Sequence, residues 1–164
     1  QMCIRDRRRV VASPEPVRVV ESNAIATLME QGYSVICAGG GGIPVLQEQG
    51  HYRGLSAVID KDYTSALLAS ELQLDALLLL TNIEALYTDW GMPSARAVRR
   101  VGCRYLQSAG LEQGSMAPKV AAACRFVNDG GGFAGIGLLT EVQAILEGRR
   151  GTRIVGDDSR PQWW

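Results

Sequence analysis

Apolar positions along the chain fall into short blocks whose spacing alternates between the helical and the extended repeat. Between Val19 and Gln31 they recur at Val20, Ile25, Leu28 and Met29, a one-sided helical pattern that stops at Gly32, a suitable helix terminator. Ser34 to Ala38 and Ala57 to Ile59 are short apolar runs that predict strands, the first of them buried. Arg9 to Val11, closed by Pro14 and Pro16, predicts a short edge strand. The intervening Gln47 to Ser56 is polar and predicts a surface loop or hairpin around His51, Tyr52 and Gly54.

Helical spacing returns from Lys61 to Leu72, with Ala66, Leu67, Ala69 and Leu72 on one side. Ala76 to Leu80 is almost pure leucine and too short for a helix, so it predicts a central parallel strand. Thr81 to Tyr87 then leaves the sheet toward a turn at Gly91 to Pro93. A helix from Pro118 to Asn128, a glycine turn at Gly130 to Gly132, a strand from Phe133 to Ile136, a helix from Glu141 to Leu146 and a strand from Thr152 to Val155 complete the series. The alternation predicts an α/β sandwich with a mostly parallel sheet, whose ligand sits beyond the carboxyl ends of the strands. Gly156 to Trp164 reads as a flexible tail, with Trp163 and Trp164 available to a partner surface.

Composition narrows the function. The chain has 164 residues, enough for one domain or one lobe of a larger protein, with 17 basic and 17 acidic side chains. A net charge of zero provides no field to recruit nucleic acid or a membrane surface. No apolar run approaches a membrane span, and the basic start lacks the apolar core of a signal peptide. Residues 1–7 are aperiodic and unlike the rest of the chain, and read as a non-native leader ahead of a lobe over 8–155. Cys3, Cys37, Cys103 and Cys124 show no metal-ligand spacing and His51 is alone, so no metal site is expected. Cys37 and Cys124 read as reduced core residues, which fits a cytoplasmic protein.

Three segments carry candidate chemistry. Gly39 to Gly42 followed by Ile43-Pro44 matches neither a P-loop nor a dinucleotide fingerprint, but glycine lets a ligand approach the backbone closely. A tight structural turn is the plainer alternative. In Asp60-Lys61-Asp62, Asp60 fits a helix N-cap, whereas Lys61 opposes the positive end of the helix dipole unless an anion binds beside it. Lys119, directly after Pro118, repeats that mismatch at a second helix start. Two such lysines suggest a shared anionic ligand, with Asp62 orienting both; the alternative is two solvent-facing lysines. The set suits phosphoryl transfer.

The segments Arg8 to Pro16, Val35 to Val45, Val58 to Asp62, Leu79 to Tyr87, Gly114 to Val120 and Ala144 to Gly148 resemble carbamate kinase in order and spacing, from about Arg8 to Val155. The resemblance implies the amino-acid kinase fold, a three-layer αβα sandwich, and transfer of the ATP γ-phosphoryl to carbamate with Mg²⁺, giving ADP and carbamoyl phosphate. It further implies that Lys61 and Lys119 neutralise the phosphoryl group, that Asp62 organises them, and that Gly39, Gly40, Gly41, Gly42 and Asp60 lie near the phosphates. Thr81, Asn82 and Tyr87 would border the nucleotide, and Met116 and Pro118 the phosphate side. It implies a cytoplasmic homodimer, usually in arginine breakdown. Carbamate kinases are about twice this length, so the chain resembles their carboxyl-terminal, nucleotide-binding lobe and is expected to do little catalysis alone. The segment from Val101 to Gly114 is shorter than the family's, which questions a helix at Cys103 to Ala109. A stand-alone nucleotide-binding or regulatory lobe, or an enzyme of this fold with another acceptor, are the alternatives.

Overall fold

In a computed structural model, residues 10–109 and 116–164 are described. The leader at residues 1–7 and the Gly114-Ser115 part of the second lysine motif lie outside them. The order is α1 (Ser22–Glu30), β1 (Val45–Glu48), β2 (His51–Gly54), α2 (Lys61–Glu71), β3 (Ala76–Thr81), β4 (Tyr87–Thr88), β5 (Arg96–Gly102), α3 (Cys103–Ala109), α4 (Ala117–Asn128), β6 (Phe133–Leu138), α5 (Val142–Leu146), β7 (Thr152–Val155) and β8 (Gln162–Trp163). The helix questioned at Cys103 forms, and the expected hairpin is β1–β2.

Two helix–strand units build the centre. α2 is capped by Asp60, whose carboxylate accepts from the Asp62 N–H at 2.7 Å. It ends where Gln73 turns left-handed (φ 52°) and the Leu74 N–H reaches back to the Ala69 carbonyl. α4 starts with Pro118 in its first turn and ends at Gly130 (φ 100°), with the Gly131 N–H on the Phe126 carbonyl. A Cβ on Gly131 would stand 2.4 Å from the Phe126 ring, so glycine is required for that closure. The strands that follow, β3 and β6, pair in parallel from Ala76↔Phe133 to Thr81↔Leu138.

Alternation then sorts the faces. Leu77, Leu79, Ala134 and Ile136 turn toward α4 and form one core with Val120, Ala123, Phe126, Val98, Val101, Leu106 and Ile154. Positions 135 and 137 face the other way, beneath Ile145 of α5; a Cβ at Gly135 would lie 2.7 Å from the Ile145 side chain. Helices therefore cover both faces of the sheet, ordered β3-β6-β7-β5-β4, in which β3–β6 and β5–β7 pair in parallel, with antiparallel pairings of β6 with β7, β4 with β5 and β8 with β5. The fold class is α/β, as expected.

Four expectations need correction. β3 is the edge of the described sheet, not its centre. Ser34 to Ala38 has no strand pairing among the described residues: Ile36 is fully exposed and Cys37 is exposed rather than core. Ala57 to Ile59 makes a single bridge, Ala12↔Ala57, and Val58 is half exposed. A strand run is satisfied only by a neighbour along its edge, and here neither segment has a full one. Finally, the end of the chain is not loose. β8 pairs antiparallel with β5, Arg96 lies 4.3 Å over the Trp163 ring, and the Trp164 indole N–H donates to the Gly151 carbonyl at 3.0 Å. The tryptophans dock on the chain itself.

Candidate functional site

Because α2–β3 and α4–β6 lie side by side with parallel strands, the starts of both helices and the ends of both strands share one edge. The positive ends of two helix dipoles meet there. Lys119 and Asp62 close the gap between the helices with a 2.8 Å ion pair, their side chains only 13% and 9% exposed. A contact this dry is charge-assisted and geometrically fixed.

Lys61 is different. It is the first residue of α2, exposed, and has no ion-pair or hydrogen-bond partner among the described residues. Asp62 therefore orients Lys119, not both lysines. Neighbouring side chains on a helix diverge by about 100°, so a carboxylate turned inward to α4 leaves the preceding residue pointing elsewhere.

The glycine run reaches the same edge. Gly41 is buried, and a Cβ there (φ 133°) would lie 2.0 Å from the Ile59 carbonyl oxygen and 3.3 Å from the Lys61 backbone nitrogen. The loop thus lies directly against the first turn of α2. Its amides are mostly engaged: Gly39 N–H bonds Cys37, and Gly41 and Gly42 N–H both bond the Ala38 carbonyl. The Gly40 N–H alone of the four makes no hydrogen bond among the described residues. Thr64, which no sequence pattern singles out, joins the two motifs: its buried hydroxyl donates to the Gly41 carbonyl at 2.8 Å. A hydroxyl one turn after a capping Asp is the only sequence signal for it.

The other candidates line the edge less tightly. Thr81 ends β3 and donates to the Asn82 side chain at 3.3 Å. Met116 is at the N-cap position of α4 and packs on the core, next to Pro118 in the first turn. Tyr87 stands apart, in β4 at the opposite side of the sheet, edge-on to Trp90 with ring centroids 5.0 Å apart. Its hydroxyl donates to Glu84, and that bond to a carboxylate raises its pKa above the ordinary phenol value. Among the described residues no three His, Cys, Asp or Glu side chains cluster as metal ligands, and no helix is long and apolar enough to cross a membrane.

Known proteins resemble this chain in both sequence and architecture. The amino acid kinase family model matches residues 1–133. A carbamate kinase of Rhizobium meliloti is 47% identical over 159 residues, 95% of this chain and 49% of that protein. The carbamate kinase-like protein YahI of Escherichia coli is 44% identical over 92% of this chain and 49% of its own length. Among solved structures, a carbamate kinase from Giardia lamblia bound to AMP-PNP superimposes with a TM-score of 0.89 at 36% identity, covering 96% of this chain and 51% of that one. UMP kinase from Bacillus anthracis, at 19% identity and a TM-score of 0.60, shares the fold alone. The chain spans about half the length of the carbamate kinases it matches. By its sequence and its architecture, it belongs to the amino acid kinase family.

Proposed function

We propose that this chain is the nucleotide-binding half of a carbamate kinase, an enzyme that moves a phosphoryl group reversibly between ATP and carbamate, giving ADP and carbamoyl phosphate. The observation that carries the reading is the buried Asp62–Lys119 pair at two joined helix starts, beside an unpaired Lys61. An anion placed there meets one fixed cation, one free cation and two helix dipoles, which suits the charge spread over a transferring phosphoryl group. Lys61 and Lys119 take the role of neutralising that charge, and Asp62 is the positioning residue for Lys119. The glycine loop, Asp60, Thr81 and Asn82 bound the phosphate side, with Met116 and Pro118 behind Lys119 and Tyr87 toward the base.

Mg²⁺ enters in this reading on the nucleotide's own phosphates, which supply oxygen ligands. The carbamate site falls to the other half of the protein, so the chain alone binds ATP or ADP weakly and turns over little. A cytoplasmic homodimer working in arginine breakdown is part of the same proposal. A second reading, a lobe that binds nucleotide without catalysis, needs only the two helix starts and the unpaired Lys61.

Calorimetric titration of the chain with ADP and Mg²⁺, beside its Lys61→Ala variant, tests the nucleotide site. The expected result is heat with the parent chain and a much weaker signal with the variant. No binding by the folded parent refutes both readings. ATP formation from carbamoyl phosphate and ADP, after joining the chain to the remaining half of a relative, separates them: product supports the kinase, and nucleotide binding without product supports the lobe.

A further inference from the structure

We propose that Thr64 is a positioning residue that locks the orientation of the Gly41–Gly42 peptide, and so keeps a carbonyl dipole out of the anion space at the start of α2. The inference rests on the reading of that space as a phosphate site. Thr64 is 4% exposed, one turn into α2. Its hydroxyl donates to the Gly41 carbonyl, 23 positions earlier, at 2.8 Å, with its own helix carbonyl, Asp60, farther off at 3.3 Å. The shorter bond is the long-range one.

The consequence comes from peptide planarity. A carbonyl and the next N–H belong to one plane and point in opposite directions. With the Gly41 oxygen held by Thr64, the Gly42 N–H is directed to the Ala38 carbonyl, which it meets at 2.6 Å. Both residues flanking this plane are glycines with positive φ, 133° at Gly41 and 88° at Gly42. Glycine crosses between conformations at little steric cost, so the plane is held by its two hydrogen bonds and not by the backbone sterics of these two residues. Rotation would break both bonds and turn the carbonyl oxygen away from α2's interior. The loop lies against the first turn of α2, with the Lys61 backbone nitrogen 3.3 Å from where a Gly41 Cβ would stand, so an oxygen turned outward at this helix start would repel an incoming phosphate. Thr64 supplies the only side-chain bond to this plane among the described residues.

The test compares Thr64→Val, which keeps the shape and removes the donor, with Thr64→Ser, which keeps the donor, in the full chain. The probes are inorganic pyrophosphate with Mg²⁺, read by calorimetry, and amide hydrogen exchange at Gly42. Thr64→Val is expected to weaken pyrophosphate by about tenfold and to speed Gly42 exchange by a similar factor, as loss of one buried bond implies. Thr64→Ser is expected to restore both, which a merely space-filling role would not do. Should Thr64→Val fail to fold, Thr64→Ala carries the same comparison. Unchanged exchange at Gly42, or unchanged pyrophosphate affinity with faster exchange, overturns the proposal. If the parent chain binds no pyrophosphate, the phosphate-site reading fails with the anion part of this inference, while the exchange result still decides whether Thr64 is the lock.

Discussion

Breaking the Asp62–Lys119 pair should cost more than any other single charge removal in the described residues. At 2.8 Å and an effective dielectric of about 20, the gross attraction is about 6 kcal/mol. Most of that is offset by taking two ions out of water, since their side chains are 9% and 13% exposed. What a double-mutant cycle should recover is nearer 2 kcal/mol, roughly the net value of a charge-assisted buried bond. The single variants are expected to lose more than the pair is worth. Asp62→Asn strands an ammonium between α2 and α4, and Lys119→Met strands a carboxylate, each at about 3–5 kcal/mol. The doubly substituted Asp62→Asn/Lys119→Met chain buries no charge and should lose about 2 kcal/mol less than the two single losses added together. Equilibrium urea unfolding followed by far-ultraviolet circular dichroism gives all four free energies. Additive effects within about 0.5 kcal/mol would refute the reasoning, because independent sites add to that precision.

Other outcomes rest on single contacts. Lys61→Ala should raise stability by about 0.3–1 kcal/mol while weakening ADP, since it removes an unpaired cation from the positive end of α2; thermal unfolding beside the calorimetric titration checks both signs. Gly102→Ala should unseat the terminal strap, because its Cβ would meet the Asp157 carbonyl oxygen at 2.2 Å, and the cost, about 1–3 kcal/mol, is readable as a lower urea midpoint. The same strap should loosen in acid. Hydrogen bonds from the Ser159 hydroxyl and N–H, with Arg100 adding less, hold the Asp157 carboxyl below its ordinary value of 3.8. Its contribution is therefore complete above that value and is lost as pH falls through the lowered one, which exchange of the Gly102 amide, bonded to the Ser159 carbonyl, should report. Val10, Ile36 and Ile43, at 92%, 101% and 88% exposure, should drive self-association that sedimentation velocity detects and Ile36→Lys reduces.

What can be read from sequence divides by the range of the interactions. α2, α4, β3 and β6 are legible because each is written locally, in Asp60 as a cap, Pro118 in a first turn, and a leucine run bounded by polar residues. Ser34 to Ala38 misleads because apolar content says that a strand needs a neighbour, not that one is present. The tail misleads for the converse reason. Its order comes from Arg96, Gly102 and Gly151, all distant in sequence, which accept Trp163, the 157–159 turn and Trp164.

The site shows the same division more sharply. Lys61 stands out because its charge conflicts with the helix end that holds it, and a conflict between local preference and placement is where function is legible. Asp62's choice of Lys119 over the adjacent Lys61 is not legible, since it depends on which face of α2 meets α4. Thr64 leaves almost no trace, because a threonine in the first turn of a helix has ordinary local uses. Only the fold brings the Gly41 carbonyl to its hydroxyl. The cations at the helix starts are thus visible as local anomalies, whereas Thr64 is locally ordinary and acquires its contact with Gly41 from packing. A site inferred from sequence alone therefore names the cations and the carboxylate between them, but not which cation that carboxylate takes, and it misses Thr64.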